Sequence, residues 1–327
     1  MRATGVTPTG ASPAGREPAG REPEVPRART HARAGAWRGR ALAWGSRLVV
    51  LVGAALRRLP PRVRYLPADA ITAVVARVWG RGAVVERNFA RVLGVPPRDP
   101  RARTLARRSL RNFGRMAIDF LASTAMSDAE VWRWVTPVGE SMLAEALAPG
   151  HGVIFAMPHI GSWDVCGAYA AAYGFKVTVV IDNHLLAQLV SGARRYRAGG
   201  VTLAPRDRSL RMLYQALARN EGIVLLSDVA EGAGPTLAVP FFGRPARFPV
   251  GAARLALRTG APIVVLACVR MPDGRYRIEG QPPIWPDRAQ SQDEAVRGLT
   301  AAMAAGYERV ITRYPEHWYP FHAIWED

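Results

Sequence analysis

The sequence is short of cysteine and of long apolar runs. Its two cysteines, Cys166 and Cys268, lie in apolar stretches and form no CxxC pair, so a disulfide framework or a cysteine-based zinc site is not expected. The apolar run from Leu48 to Leu56 has only nine residues. A membrane-spanning helix needs roughly 18–20 apolar residues, and the sequence therefore predicts no such helix.

Acidic residues are also scarce. Lysine and arginine total 44 against 26 aspartate and glutamate residues, a formal charge of +18, and the single lysine is Lys176. This sign favours a polyanionic partner: nucleic acid, an anionic membrane or a phosphate-bearing substrate. Nucleic-acid binding would call for basic residues interleaved with aromatics, or for a recognisable reading motif. The sequence shows neither, and we expect no nucleic-acid partner.

Three segments follow one another along the chain. Residues 1–40 are rich in Pro, Gly, Ala and Arg, a composition that predicts a disordered basic arm. Residues 41–134 carry apolar residues at helical spacing and are predicted to pack on the core and associate with a membrane. Within them, residues 41–59 fit either a helix lying in the membrane interface or an ordinary core helix. Residues 135–327 are predicted to form the catalytic domain.

From residue 150 onward, short β-rich runs alternate with helical segments. This alternation predicts an α/β fold with a mostly parallel sheet flanked by helices. Ligand sites in such sheets lie beyond the carboxyl ends of the strands. Strands are predicted at 152–157, 176–182, 201–204, 222–228, 261–269 and 275–280, and a final helix at 292–313.

The chemistry is predicted to lie in PHIGSWD, which follows the first of these strands. On one continuous helix His159 and Asp164 would point about 140° apart. They can meet only if His159 lies in the loop and Ser162 caps a helix whose first turn holds Asp164. We therefore predict that His159 is a general base and that Asp164 orients it. Amides at the helix start would support an oxyanion.

PHIGSWD resembles the HxxxxD signature of the lysophospholipid acyltransferase superfamily. Four further segments, ERNFARVLG, RRSLRNFGRMAIDF, VPFFG and RYPEHWYPFHAIWED, resemble one branch of it. That branch contains the late acyltransferases of lipid A synthesis and the actinobacterial phosphatidylinositol mannoside acyltransferases. The resemblance covers about residues 45–325. It implies that His159 deprotonates an acceptor hydroxyl, which then attacks an acyl thioester.

The resemblance also implies two substrate-binding residues. Arg197, which stands 33 positions after Asp164, would contact a phosphate of the acceptor or donor. Glu231, in the pair Glu231-Gly232, would contact the acceptor. Ala238 stands where members of the mannoside branch carry an acidic residue, and this departure makes Glu231 the substitute candidate.

The expected reaction is transfer of a fatty acyl chain to a hydroxyl of an anionic glycolipid. Acyl-CoA or acyl carrier protein would be the donor substrate. No further cofactor and no metal are expected, because a thioester is already activated. The expected acceptor is phosphatidylinositol mannoside-like, with a lipid A-type lipid or a lysophospholipid as alternatives. We expect a peripheral or monotopic protein on the cytoplasmic face of the cell membrane.

Three other classes of protein remain possible from the sequence. A catalytically inactive lipid-binding paralogue is one, although the intact His159 and Asp164 pair argues against it. A serine hydrolase acting through Ser162 is another, but Gly161-Ser162-Trp163 does not match GxSxG. The third is the basic nucleic-acid-binding protein considered above.

Overall fold

The computed structural model describes residues 28–181, 190, 199–230 and 234–325. Residues 42–327 belong to one compact unit and residues 1–41 to another. The first helix begins at Ala28, earlier than residue 41, where the helical segment was predicted to start. Of the helices in the described ranges, none is both long and apolar enough to cross a bilayer.

The N-terminal segment is helical, as predicted, and its helix starts follow from the sequence. Asp99 caps one helix by accepting a hydrogen bond from the Arg101 amide at 2.8 Å, with Pro100 in the first turn. Ser127 and Glu130 form a capping box at the next. The helices are α1 (Ala28–Arg58), α2 (Pro61–Arg64), α3 (Leu66–Val78), α4 (Gly82–Val92), α5 (Pro100–Ser123) and α6 (Asp128–Trp134).

A seven-stranded sheet forms the centre, in the order β1-β9-β8-β2-β5-β3-β4. Neighbouring strands are parallel except β8 and β9, which confirms the predicted mostly parallel α/β fold. Its strands are β1 (Val135–Val138), β2 (Val153–Met157), β3 (Val177–Ile181), β4 (Val201–Pro205), β5 (Gly222–Leu226), β8 (Ile263–Arg270) and β9 (Tyr276–Gly280).

An antiparallel hairpin of β6 (Thr236–Phe241) and β7 (Arg244–Pro249) lies outside this sheet. Phe242 and Gly243 turn it with positive φ of 46° and 75°, the geometry that suits a tight hairpin. The sequence analysis missed the hairpin and β1. All three strands contain proline, which weakens a strand pattern because proline cannot donate a ladder hydrogen bond.

Helices cover both faces of the sheet. The five residues of β2 are all buried: Ile154 and Ala156 join the core on one face, while Val153, Phe155 and Met157 join the core on the other. This two-sided burial explains why the strand reads as a continuous apolar run. The remaining described helices are α7 (Glu140–Leu147), α8 (Trp163–Ala172), α9 (Ser209–Ala218), α10 (Gly251–Thr259) and α11 (Gln292–Arg313).

Candidate active site

The loop between β2 and α8 is held by backbone contacts on two sides. Gly161 has φ of +64° and donates its amide to His317 O at 2.8 Å, and the Ser162 amide donates to Cys268 O at 2.7 Å. A Cβ atom at Gly161 would lie 1.8 Å from the Cys268 carbonyl oxygen. Only glycine fits here, because the φ is left-handed and the neighbouring strand leaves no space.

His159 lies in this loop, just beyond the carboxyl end of β2. Its Nδ1 is 2.5 Å from Oδ1 of Asp228, and its backbone amide donates to Oδ2 of the same carboxylate at 3.0 Å. Asp228 follows β5, the parallel neighbour of β2. Because two adjacent parallel strands end at the same edge, their loops bring the two side chains together.

The two members of this pair differ in exposure. The side chain of Asp228 is 1% exposed and that of His159 is 30% exposed. With its Nδ1 directed at the carboxylate, the imidazole carries its proton there, and Nε2 is left to accept a proton from a substrate. This is the arrangement that a general base of the histidine–carboxylate type requires.

Mutual attraction sets the pKa of both groups. Burial alone would lower the pKa of His159, but the charge and hydrogen bond of Asp228 outweigh it and raise that pKa above its ordinary value. Burial likewise works to raise the pKa of Asp228. Its interaction with His159 and the hydrogen bond from Trp318 prevail, and its pKa is lowered.

Two residues of the C-terminal tail, Trp318 and Tyr319, form hydrogen bonds with Asp228 and His159. Trp318 is fully buried and donates its indole N–H to Oδ2 of Asp228 at 2.9 Å. The Tyr319 amide donates to His159 O at 2.8 Å, and Ile160 forms an antiparallel bridge with Trp318. Trp318 and Tyr319 are both buried beside the loop that carries His159.

Asp164 lies in the first turn of α8, and Ser162 caps that helix by accepting from the Val165 amide, both as predicted. The contact with Nδ1 of His159, however, belongs to Asp228 and not to Asp164. Asp164 instead lines the apolar cavity under α8, which has no contribution from His159. A catalytic role for Asp164 stays a prediction.

The predicted oxyanion support is restricted by the amides already in use. The amide of His159 donates to the Asp228 carboxylate, and that of Gly161 donates to His317 O. The amide of Ser162 donates to Cys268 O, and that of Val165 donates to the Ser162 side chain. These four amides are therefore not free to stabilise an oxyanion, and stabilisation by the helix start stays a prediction.

Two cavities of opposite character flank the loop. The first lies under α8 and is lined mainly by apolar side chains, and Trp163 and Asp164 stand at its border. Trp163 also contacts the His159 ring edge-on at 5.8 Å between centroids, so this apolar pocket extends to the surroundings of His159. Members of its wall include Phe155, Met157, Tyr169, Val179, Val224 and Leu266.

The second cavity is a basic cleft of about 1360 Å³ on the other face of the sheet, lined by His159 itself. It lies between α9 and α10, and none of the described residues that line it is acidic. Guanidinium groups match phosphate oxygens in geometry and charge, so the cleft suits a phosphate-bearing substrate. Its arginines are Arg81, Arg206, Arg254, Arg258 and Arg288.

Arg197 and Glu231, the two predicted substrate-binding residues, lie outside the described residues, and their roles stay predictions. Asp228, Trp318 and the arginines of the cleft were not predicted. The signal for Asp228 was present in LLSD, because a carboxylate that ends a strand beside β2 belongs at the same edge as His159. Among the described residues, no group of three His, Cys, Asp or Glu side chains is placed to hold a metal.

An enzyme that joins an acyl chain to a hydroxyl needs a base for the hydroxyl, an apolar space for the chain and room for a polar substrate beside them. The site around His159 offers all three, and the protein is an acyltransferase. The chain belongs to the bacterial lipid A biosynthesis acyltransferase family, whose model matches residues 37–327. This confirms the branch that the sequence resemblance indicated.

Curated relatives fall in the same branch. The chain is 30% identical over 279 residues to the phosphatidylinositol mannoside acyltransferase of Mycobacterium tuberculosis (strain CDC 1551 / Oshkosh), which covers 80% of this chain and 85% of the relative. It is 28% identical over 274 residues to the protein of the same name from Mycolicibacterium smegmatis, covering 80% of this chain and 88% of the relative.

Proposed function

We propose that this enzyme transfers a fatty acyl chain from a thioester to a hydroxyl of a phosphatidylinositol mannoside-like lipid. The observation that carries the proposal is the His159–Asp228 pair, placed between an apolar pocket and an arginine-lined cleft. The names of the relatives favour a mannoside acceptor over a lipid A-type or lysophospholipid acceptor.

The reaction follows from the orientation of His159. Nε2 accepts the proton of the acceptor hydroxyl as its oxygen attacks the thioester carbonyl carbon. The tetrahedral intermediate collapses by breaking the C–S bond, and the thiolate that leaves takes the proton from the imidazolium. Asp228 stabilises the imidazolium during these steps. No metal and no further cofactor is required, because the thiol is a good leaving group.

The apolar pocket is the proposed site for the acyl chain. Its wall is built from strand residues that point to one face of the sheet and from α8. An extended hydrocarbon gains about 0.8 kcal/mol for each buried CH₂, so a pocket of this composition favours a hydrocarbon chain over a polar group. Asp164, at the border of the pocket, is proposed to act close to the reacting thioester.

The basic cleft is the proposed site for substrate phosphates. Arg254 and Arg258, both on α10, line it together with His159. The phosphodiester of the acceptor and the phosphates of acyl-CoA share the chemistry that these arginines recognise. Arg197 and Glu231 are proposed to add contacts to a phosphate and to the acceptor headgroup.

We also propose that the protein docks on the cytoplasmic face of the cell membrane without crossing it. On α1, Trp44, Leu48, Leu51 and Val52 are 40–69% exposed. The opposite side of the same helix is packed, as shown by a hypothetical Cβ at Gly53 that would lie 2.2 Å from Leu121 O. A helix that lies in the membrane interface presents an exposed apolar face of this kind to the lipid.

Helix α3 repeats this arrangement. Its exposed side chains include Leu66, Ile71, Val74 and Val78, whereas Ala68 and Thr72 are buried against the core. No acidic residue occurs between Val25 and Ala68, so every charged side chain that α1 contributes around its exposed apolar face is basic. Charge complementarity therefore favours an anionic bilayer over a neutral partner.

Acyl transfer from radiolabelled palmitoyl-CoA or palmitoyl acyl carrier protein tests the proposed reaction. The acceptors offered are a phosphatidylinositol mannoside, a lipid A precursor and a lysophospholipid. Loss of a general base costs about 10²–10⁴-fold, and His159→Ala should lose the labelling by such a factor. His151→Ala is the matched control, because His151 precedes the amino end of the same strand. Equal labelling by wild type and His159→Ala would refute the mechanism. Labelling confined to another acceptor would refute the assignment of the substrate.

A further inference from the structure

A second basic groove lies away from the catalytic cleft, between α3 and α5. It has a volume of about 440 Å³ and shares no lining residue with the cleft beside His159. Helix α3 contributes Asp69 and Arg77, and α5 contributes Arg107, Arg108 and Arg111. Four guanidinium groups therefore surround one groove that holds a single carboxylate.

That carboxylate is already occupied. Asp69 accepts two hydrogen bonds from Arg115, from Nε to Oδ1 at 2.6 Å and from Nη2 to Oδ2 at 2.5 Å. This bidentate pair satisfies the charge of Asp69. The groove arginines therefore receive little neutralisation from it.

The groove arginines find few partners inside the protein. Arg77 donates to Ala73 O, a carbonyl of its own helix, at 2.9 Å. Across the described ranges, no carboxylate forms an ion pair with Arg107, Arg108 or Arg111. Like charges gathered on one surface repel one another, and an external anion would relieve that repulsion. Arginine clusters are the usual protein ligands of phosphate.

The position of the groove indicates where such a phosphate comes from. At 100° per residue, the solvent side of α3 runs from Ala73 and Arg77 through Ala70 and Val74 to Val78. Ala73 and Arg77 also line the groove. The groove thus opens along one edge of the exposed apolar face of α3. When the apolar side chains of an interfacial helix enter the acyl region, the groups at the edge of that face lie at headgroup depth.

We propose that the groove between α3 and α5 binds the phosphate of an anionic phospholipid in the bilayer, at a site separate from the substrate cleft. The bound headgroup anchors α3 and sets the orientation in which the catalytic domain meets the membrane. This inference rests on the proposed membrane docking, and it does not depend on the identity of the acyl acceptor.

Vesicle co-sedimentation of the full chain tests the site. The variant Arg107→Gln/Arg108→Gln/Arg111→Gln removes three groove charges. Its control, Arg244→Gln/Arg275→Gln/Arg297→Gln, removes three exposed charges that line none of the cavities described above. On phosphatidylcholine vesicles containing phosphatidylglycerol, the groove variant should bind about 100-fold more weakly than wild type, because it lacks three basic residues that each contribute about 1 kcal/mol near an anionic surface. Long-range attraction alone would weaken both variants equally.

Several outcomes would overturn the proposal. Equal loss in the groove and control variants would show that only net charge matters. An equal loss of binding on pure phosphatidylcholine vesicles would show that the substitutions weaken binding by disturbing the fold. Release of the wild type by micromolar inorganic phosphate would assign the groove to a soluble anion. Failure of the wild-type protein to bind anionic vesicles would refute the proposed site.

The acyl transfer reaction provides an independent readout. With substrates dispersed in detergent, the groove variant should retain wild-type kcat, because the groove lies outside the catalytic machinery. Its thermal midpoint should match that of the control variant. Absence of acyl transfer by the wild type would refute the proposed function while leaving the vesicle result intact, so the two failures are distinguishable.

Discussion

Trp318 and Asp228 are 90 residues apart in the sequence, and the indole N–H of Trp318 lies 2.9 Å from Oδ2 of the Asp228 carboxylate. The other oxygen, Oδ1, faces His159. The carboxylate is thus fixed between a buried donor and the imidazole of His159. A carboxylate held in this way maintains both the tautomer and the direction of the base.

Replacing Asp228 by asparagine should lower kcat by about 10²–10⁴-fold, because Nδ1 loses its anionic partner. The neutral imidazole is the active form, so activity is present above the pKa of His159 and is lost as the pH falls through it. Asp228 raises that pKa. The acid limb of the kcat/KM profile should therefore move to lower pH in Asp228→Asn.

Asp164→Asn is the matched comparison, since it neutralises the other carboxylate near the loop. We expect the acid limb to keep its position in this variant. A shifted limb in Asp164→Asn, with an unshifted one in Asp228→Asn, would restore the role that the sequence analysis gave to Asp164.

Trp318→Phe should keep the packing of the ring while removing the indole donor. A hydrogen bond to a charged group contributes about 1.5–3 kcal/mol, part of which acts on the orientation of Asp228. We expect a loss of about 10-fold in kcat and a smaller shift of the acid limb than in Asp228→Asn. Trp325→Phe is the control, because that buried indole donates to Phe241 O instead. Similar losses in both variants would show a purely structural effect.

The sequence was informative where structure is determined locally. The continuous apolar runs of β2 and β5, and the cap at Ser162, are set by neighbouring residues, and the structure confirms them. The sequence places Asp228 at the end of a predicted strand, but its contact with His159 depends on which strands pair. The order of strands is a property of the whole sheet and leaves no mark on a single segment.

The helical N-terminal segment illustrates the same limit. Apolar spacing on α1 and α3 predicts amphipathic helices, but it does not say which side meets the core. In the structure, small residues such as Gly53 and Ala68 face inward, and Leu48 and Val74 face outward. Close helix packing selects the small residues, and this leaves the larger apolar ones exposed.

Gly161→Ala should destabilise the fold by more than about 3 kcal/mol. A left-handed φ costs a non-glycine residue about 1–2 kcal/mol, and the added Cβ would also collide with Cys268 O. Gly174→Ala is the control, because Gly174 has φ of +79° and nothing within 4 Å of a Cβ. Denaturant unfolding measures both. Equal free-energy losses would show that the contact with β8 is unimportant.

Arg254→Gln combined with Arg258→Gln should raise KM for the phosphate-bearing substrate by about 10-fold or more, with a small change in kcat. Both arginines line the cleft, and loss of a contact made equally in ground and transition states appears in KM. Steady-state kinetics with each substrate varied in turn identifies which one the cleft holds. Arg297→Gln is the control. An unchanged KM for both substrates would exclude the cleft as a phosphate site.

Gly167→Leu should change the preferred length of the acyl chain. Gly167 lies on α8, one turn after Asp164, and forms part of the wall of the apolar pocket. A Cβ there would have its nearest neighbour at 3.6 Å, the Cγ2 atom of Val201, which is an ordinary van der Waals contact, and we expect a larger side chain to occupy part of the pocket. Leucine is also a better helix former than glycine, and the fold should tolerate the change.

Transfer rates measured with a series of acyl-CoA lengths test this effect. Rates for palmitoyl and longer chains should fall about 10-fold or more relative to those for octanoyl chains, because each excluded CH₂ loses about 0.8 kcal/mol of burial. The rate with octanoyl-CoA provides the internal control for the chemistry at His159. A uniform loss at every length would indicate damage to the base, and an unchanged profile would place the acyl chain outside this pocket.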